Sequence, residues 1–255
     1  MLFGKGQFEI GRVWGVPICL DISLVIMAVM FVFRAGNLLL GLLSAAVLLA
    51  SILLHELGHT AVALSYGCRV RDITLLLFGG RATLVDIPRG PWREAWMAAA
   101  GPLVSLMLGV AGFLLAAIAP AHTLAYSLCW YLQYVNFSLL VFNLIPAFPM
   151  DGGRIFRALM ESRIGRQRAT LIAFRVAQVL AVCMAIWAVL GGFDFVLLLI
   201  AYFIFVSSKA EYEMVRAESR YGGYGGYGGP GDDSVVISPP PYGKRDEVTD
   251  IFRER

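Results

Sequence analysis

Charged residues are scarce in this chain: Asp, Glu, Lys and Arg make up only 15% of its 255 residues, whereas 58% are hydrophobic. A soluble domain carries roughly 25% charged residues, because its surface must face water. This shortage of charge therefore excludes a soluble globular protein and indicates that lipid surrounds most of the molecule. The length allows about six spans of roughly 20 residues each, with short connections.

Cysteine is also scarce, and no two of the four cysteines form a CxxC pair. The sequence thus predicts neither a disulfide framework nor a cysteine metal site. The net charge of +3 is small, so no nucleic-acid partner is predicted. Lys5 and Arg12 precede an apolar run that lacks a small-residue cleavage site, and we expect this first apolar segment to be retained rather than removed as a signal peptide.

Long apolar runs, by contrast, are abundant. Six of them are predicted to cross the bilayer, at residues 16–33, 38–66, 96–119, 123–144, 169–190 and 193–208. This partition puts every basic residue except Arg34 on one side of the membrane, as the positive-inside rule requires of a cytoplasmic face. We therefore predict an all-α, multi-pass protein of the cell membrane with six transmembrane helices and both termini in the cytoplasm.

One connection between the predicted spans is apolar and rich in β-branched residues. Residues 73–85 form two such runs about Gly79-Gly80, a pattern that predicts a β-hairpin with its turn at the glycines. Non-helical backbone at membrane depth is tolerated where it is buried in protein or lines a wet cavity. The hairpin is therefore predicted to be embedded in the membrane, beside a cleft.

A second irregular connection follows predicted span four. In residues 143–154 the helix is broken by Pro146 and Pro149, and the chain is expected to turn at Gly152-Gly153. A broken helix inside a membrane protein indicates a functional site, because its freed backbone groups need partners.

The end of the chain has a different composition. Residues 211–255 are rich in Gly, Tyr and Pro and cannot bury enough apolar area to fold. We predict a membrane domain over residues 1–210 and a disordered cytoplasmic tail over residues 211–255.

The sharpest chemical pattern is His55-Glu56-Leu57-Gly58-His59, in the late part of predicted span two. Residues four apart lie on one face of a helix, so His55 and His59 can both bind one Zn²⁺ while Glu56 stands beside the water to be activated. Ionisable groups inside a membrane are costly and usually functional. The motif therefore predicts metalloprotease chemistry with one zinc ion per chain.

A catalytic zinc needs a third protein ligand. Asp151 fits best, because it follows span four and reaches the cytoplasmic end of the membrane, at the level of the histidines. The other candidates fit less well: Asp21 can reach from the cytoplasmic side, His122 and Asp194 lie on the far side, and Glu161 lies in an arginine-rich segment. Asp151 could otherwise cap a turn before the two glycines, but beside an HExxH motif we favour the ligand interpretation.

Four segments in this order resemble the site-2 protease family of intramembrane zinc metalloproteases, peptidase family M50. They are HELGH, the FGGRA hairpin, AGPLVS at residues 100–105 and NLIPAFPMDGG after span four, and the resemblance covers about residues 10–208. It implies that His55, His59 and Asp151 bind zinc and that Glu56 is the general base. It also implies that Asn143 orients the substrate or stabilises the oxyanion.

The resemblance further implies a partner and a mode of substrate binding. The substrate is expected to be a single-span membrane protein in the lipid bilayer, which another protease can have cut beforehand. The hairpin of relatives is thought to hold the substrate as an added strand, and Gly79 and Gly80 would permit that close approach. Ser105 stands where many relatives have Asn, and we expect a short form without PDZ or CBS domains.

Two alternatives remain open from the sequence. A membrane HExxH protease that cuts non-membrane segments would take its third ligand from a downstream glutamate, for which Glu161 is the candidate. A metal transporter or an inactive metal-binding membrane protein would use the same cluster only to hold a cation. Glu56, which is not needed as a ligand, argues against this second alternative.

Overall fold

The structure is a computed structural model that describes residues 7–76, 79–85 and 90–221, with side chains as far as Ala217. Residues up to Ala217 form one compact unit, and Glu218–Arg255 are divided from it as a second. The predicted disordered tail falls largely on residues 222–255, which lie outside the described part of the chain, so the domain division stays a prediction.

Helices dominate the described residues, and four strands form one small sheet. The strands are β1 (Gln7–Val13), β2 (Val16–Asp21), β3 (Val70–Leu76) and β4 (Gly79–Leu84). The helices are α1 (Ser23–Ala35), α2 (Leu38–Ser65), α3 (Pro91–Ile118), α4 (Leu124–Asn143), α5 (Asp151–Ile164), α6 (Arg166–Leu190) and α7 (Phe195–Tyr221).

The sheet has the strand order β1-β2-β3-β4. The outer pairs are antiparallel, and β2 runs parallel to β3 with Ile18 opposite Ile73. The predicted hairpin is therefore present as β3 and β4, but its glycines are not the turn. Gly79 and Gly80 begin β4 and pair with Leu76 and Leu75.

The sheet also corrects the all-α prediction and predicted span one. Residues 16–21 form β2, so the apolar run at 16–33 is not one continuous helix. Its first part is a central strand buried against neighbours on both sides, a setting in which a continuous apolar run is as compatible with a strand as with a helix. The helix that remains, α1, has 13 residues, too few to cross a hydrocarbon core of about 30 Å at about 1.5 Å per residue.

Four helices in the described residues are long and apolar enough to cross a membrane: α2, α3, α6 and the part of α7 up to Ala217. They correspond to predicted spans two, three, five and six. Predicted span four is a helix, α4, of sufficient length at 20 residues, but Gln133, Asn136 and Asn143 make it less apolar. The structure thus shows a mostly helical protein with four candidate membrane spans, and the count of six stays a prediction.

The connection after α4 is broken as expected, over residues 144–150. The glycine pair was wrongly predicted as a turn, because Gly152 and Gly153 lie in the first turn of α5. A β-carbon on Gly152 would lie 2.5 Å from the carbonyl oxygen of Ile145, and one on Gly153 would lie 2.6 Å from the carbonyl carbon of Ala147. Both glycines are therefore needed for the connection to fold back on the start of α5.

Tight packing fixes the N-terminal helices against the sheet. Buried side chains of α1, α2 and β3 form one apolar cluster: Leu24, Met27, Ala45, Ile52 and Leu75. Gly41 on α2 lets α1 approach, since a β-carbon there would lie 2.8 Å from the amide nitrogen of Val32. This packing holds α2, which carries the HELGH motif, close to the strands.

Helix α7 continues beyond the predicted domain boundary at residue 210. It runs to Tyr221, and Arg157 on α5 donates a hydrogen bond to the Glu211 carboxylate. Glu211, the first residue of the predicted tail, thus lies in a helix and has a charged partner on α5.

Candidate metal centre and active site

Helix α2 carries the HELGH motif, with part of the motif on its buried face. Its buried face includes Ala45, Ile52, His55 and Ala63, which recur at helical spacing. His55 is buried, at 4% exposure, whereas Glu56 and His59 are half-buried. Two imidazoles and a carboxylate are therefore held at the same turn of one helix.

The ring nitrogens of the two histidines converge on Asp151, which begins α5. Nε2 of His55 and Nε2 of His59 are 3.2 Å apart, and each lies 3.2 Å from Oδ2 of Asp151. The three side chains offer ligand atoms that all lie within 4.8 Å of one another. The fold thus brings together the two histidines and the aspartate that the sequence predicted to share a metal, although 96 residues separate His55 from Asp151.

The other nitrogen of each imidazole has its own partner. Nδ1 of His55 lies 2.9 Å from Oγ of Ser105, and Nδ1 of His59 lies 2.8 Å from the carbonyl oxygen of Met97. A carbonyl only accepts, so Nδ1 of His59 donates this bond, and in the neutral imidazole Nε2 is then the nitrogen with the lone pair. If Nδ1 of His55 likewise donates to Ser105, both Nε2 atoms present lone pairs to the same point, the tautomer that a metal ligand requires.

Helix α3 passes directly against this cluster at Gly101. A β-carbon at residue 101 would lie 2.6 Å from Nε2 of His55 and would also collide with Nε2 of His59. Only a residue without a side chain leaves room for the two imidazoles there. Ser105 follows Gly101 by one helical turn, which explains how a single stretch of α3 both makes space for His55 and orients it.

The carboxylate of Glu56 lies beside the start of β4. A β-carbon on Gly80 would collide with Cγ of Glu56 and would lie 3.0 Å from its Cδ. The main chain of β4 is thus in contact with the predicted general base. Since β4 is the last strand in the sheet order of the described residues, its open edge lies near the metal centre.

The remaining residue to which the resemblance gives a role is Asn143. It ends α4, and its amide nitrogen donates a 3.0 Å hydrogen bond to the carbonyl oxygen of Leu139 within the same helix. The role that the family resemblance implies for Asn143 therefore stays a prediction.

The ligand candidates that were set aside also lie outside the group of His55, His59 and Asp151. Asp21 accepts a 2.9 Å hydrogen bond from the amide of Ser23. Asp194 accepts from the amides of Val196 and Leu197 at the start of α7. Both aspartates thus accept hydrogen bonds from amides at the start of a helix.

Three contributors were missed from the sequence: Gly101, Ser105 and the carbonyl of Met97. The first two lie in the AGPLVS segment that carried the family resemblance, so a signal was present without an assigned role. The carbonyl of Met97 has no such signal, because any residue supplies a carbonyl and only the packing of α3 on α2 selects this one.

Comparison with known proteins identifies the family to which this chain belongs. The model of peptidase family M50 matches residues 43–127 and 117–184, together more than half of the chain. The chain therefore belongs to peptidase family M50. A zinc metalloprotease of Methanocaldococcus jannaschii is 33% identical over 230 residues, which cover 89% of this chain and 67% of that protein.

Further relatives agree with this family. Rip3 of Mycobacterium tuberculosis is 36% identical over 198 residues, covering 72% of this chain and 50% of Rip3. The chain thus spans between half and two thirds of the length of these two curated relatives. The solved site-2 protease from Methanocaldococcus jannaschii superimposes with a TM-score of 0.59 at 30% identity, over 81% of this chain and 95% of that one.

This M50 protein is accordingly a zinc metalloprotease, and its donor set suits the metal. Imidazole nitrogen and carboxylate oxygen are both common zinc ligands, and catalytic sites of the His₂-carboxylate type use three protein ligands with one position left open. Two observations of this chain fit a zinc ion at the point where the Nε2 atoms meet: Nδ1 of His59 lies against a carbonyl oxygen, and Gly101 leaves space beside both Nε2 atoms.

Proposed function

We propose that this protein is an intramembrane protease, which hydrolyses a peptide bond within or near the transmembrane segment of a membrane-protein substrate. The observation that carries the proposal is the convergence of His55, His59 and Asp151 within 4.8 Å, on helices of which α2 is apolar enough to lie in a bilayer. A hydrolytic centre in such a setting meets peptide bonds that soluble proteases do not reach.

In the proposed mechanism, His55, His59 and Asp151 hold the zinc ion. Bound there, zinc would polarise the scissile carbonyl and make water more acidic. Glu56 takes the proton of the attacking water and passes it to the leaving amine, which a carboxylate beside the metal can do in both directions. Ser105 and the Met97 carbonyl keep the imidazoles oriented throughout.

The edge of β4 is proposed to bind the substrate. A transmembrane helix hides its carbonyl groups in intrahelical hydrogen bonds, so cleavage requires local unwinding. An unwound segment can pair with an open strand edge by strand addition, and Gly79 and Gly80 allow the main chains to approach closely. Because Gly80 touches Glu56, a strand added to β4 would run past the general base.

Asn143 is proposed to orient the substrate or stabilise the oxyanion from the end of α4. Its amide now donates to Leu139, so this role requires the side chain to exchange an internal hydrogen bond for one to the substrate. An amide can do so at small cost, because it carries two N–H donors.

The proposed topology has six crossing segments and cytoplasmic termini in a cell membrane. It needs α4 to cross with the four candidate spans, and β2 and α1 to make one crossing together because α1 alone is too short. The basic residues support it, since all but Arg34 then face the cytoplasm. His55 and His59 lie in the second half of α2 and Asp151 follows α4. The cut is therefore proposed in the cytoplasmic half of a single-span substrate, which another protease can have cut beforehand.

The geometry gives less support to the alternatives. A protease with a glutamate as third ligand would need Glu161 near the histidines, but Asp151 stands there. A transporter or inactive metal-binding protein has no use for a carboxylate held beside the metal by contact with a strand edge, as Glu56 is by Gly80.

Reconstituted protein can test this function. One segment is presented twice to the purified protease, once as the transmembrane span of a substrate in liposomes and once within a soluble fusion protein. We expect cleavage of the membrane form, with fragment masses that place the cut in the cytoplasmic half of the span. Cleavage of the soluble form alone would contradict intramembrane proteolysis.

A further inference from the structure

A second cluster of ionisable side chains lies outside the metal centre. Arg157 on α5 donates hydrogen bonds to the carboxylates of Glu94 on α3 and Glu211 on α7. Arg166, at the start of α6, lies 3.7 Å from the other oxygen of Glu94. The side chains of Arg157 and Glu94 are only 4% and 3% exposed. Four helices thus meet at one ion cluster.

Burying such charges is expensive, and buried ion pairs often stabilise less than well-packed apolar residues would. Arg157 keeps its charge here: burial acts to lower its pKa, but Glu94 and Glu211 outweigh this and raise the pKa above the usual value for arginine. The cluster is therefore not explained by a gain in folding stability alone. Its contacts indicate that it positions a neighbouring segment of the chain.

Arg157 connects this cluster to the segment that delivers Asp151. Its guanidinium carbon lies 5.1 Å from the ring centroid of Phe148, a distance at which a cation is attracted to an aromatic face. Phe148 is 2% exposed and belongs to the connection of residues 144–150, directly before Asp151. Arg157 therefore lies on α5 and also contacts the connection that precedes α5, so it links the two segments that flank Asp151.

Helix α7 contacts the same connection. Ala147 packs in one buried cluster with Ile204 of α7 and with Ala177 and Ala181 of α6. Beyond Ile204 along α7, Glu211 accepts the hydrogen bond from Arg157. The connection before Asp151 is thus fixed by an apolar contact and, through Arg157, by a charged one, and α7 supplies part of both.

We propose that Arg157 is a positioning residue for Asp151, and that Glu211 of α7 sets the zinc affinity of the site through it. This inference rests on the proposed ligand set, since it concerns the third ligand. The two histidines are held by α2 and α3. Asp151 begins α5, directly after a connection whose position depends on Phe148 and Arg157. Releasing Arg157 from Glu211 would let Asp151 move away from the Nε2 atoms.

Zinc release from purified protein tests the proposal without relying on activity. Zinc-loaded wild type, Glu211→Gln and Arg157→Lys are mixed with excess chelator in detergent, and the rate of zinc loss is followed. Glu213→Gln is the matched control: Glu213 lies on the same helix, is exposed, and pairs across one turn with Lys209 at 3.8 Å. Melting of each protein in its zinc-free form is recorded as well.

We expect Glu211→Gln and Arg157→Lys to lose zinc about tenfold faster, the scale found when a group that supports a metal ligand is removed. The control should release zinc at the wild-type rate. Wild-type release rates in both variants would overturn the proposal, as would faster release confined to temperatures at which the zinc-free variant melts. Wild type without zinc, or Asp151→Ala with full zinc, would instead overturn the ligand set.

Discussion

The main chain of Gly101 lies so close to His59 that a β-carbon at residue 101 would collide with Nε2, the nitrogen that faces the metal position. Helix α3 can thus pass the HELGH face of α2 only at a glycine. Since the same α3 segment also orients both imidazoles, the metal centre is built by the contact of these two helices as much as by the motif itself.

Gly101→Ala should abolish zinc binding, because the added methyl group occupies the space between the two Nε2 atoms. Zinc content after purification is the measurement. Gly109→Ala is a suitable control on the same helix, since its β-carbon would lie 3.0 Å from the ring of Phe137 and away from the histidines. A full zinc complement in Gly101→Ala would show that the packing of α3 on the site is wrong.

Ser105→Ala should weaken zinc binding by about 10–100-fold, the usual effect of removing the partner of a ligating imidazole. The cause is the loss of the 2.9 Å contact between Oγ and Nδ1 of His55, which holds the orientation of the ring. Competition with a chromophoric chelator gives the affinity. Ser105→Asn, which keeps a polar partner, should lie nearer to wild type, and equal affinities in all three proteins would remove Ser105 from the site.

Asp151→Ala should lose zinc, whereas Asp21→Ala and Glu161→Ala should retain it. Only Asp151 has a carboxylate oxygen 3.2 Å from both Nε2 atoms, and a site left with two ligands binds zinc far more weakly. Metal analysis of the three variants decides between them. Zinc retained in Asp151→Ala but lost in Glu161→Ala would support the alternative protease architecture.

Gly80→Ala should keep zinc but lose cleavage by about 10²-fold, the cost that a displacement of roughly 1 Å can have at a catalytic centre. A β-carbon there would push against Cγ of Glu56, not against the proposed ligands. Cleavage rate and zinc content are measured on the same preparation. Unchanged cleavage would mean that β4 does not hold the general base.

The local part of the site could be predicted from the sequence. HELGH sets two histidines on one helical face through its spacing alone, and Asp151 followed from the level at which its segment leaves the membrane. Both arguments need only the period of a helix and the direction of a span.

What the sequence could not predict depends on long-range packing. The run at residues 16–33 is largely apolar, and pairing with β1 and β3 makes its first part a strand. A pair of glycines can serve either a turn or a close contact between main chains. The approach of residues 145 and 147 shows that Gly152 and Gly153 serve a close contact. Glu94 and Arg157 are separated by 63 residues, so nothing in their local sequence identifies them as a pair.

The central claim is that Glu56 performs the chemistry at a zinc ion that it does not bind. The most direct test is Glu56→Gln, with zinc content and cleavage of a single-span substrate measured side by side. The account predicts full zinc content and a loss of cleavage of about 10²–10⁴-fold, because the amide cannot take the proton of water. Cleavage at the wild-type rate, or loss of zinc together with activity, would contradict it.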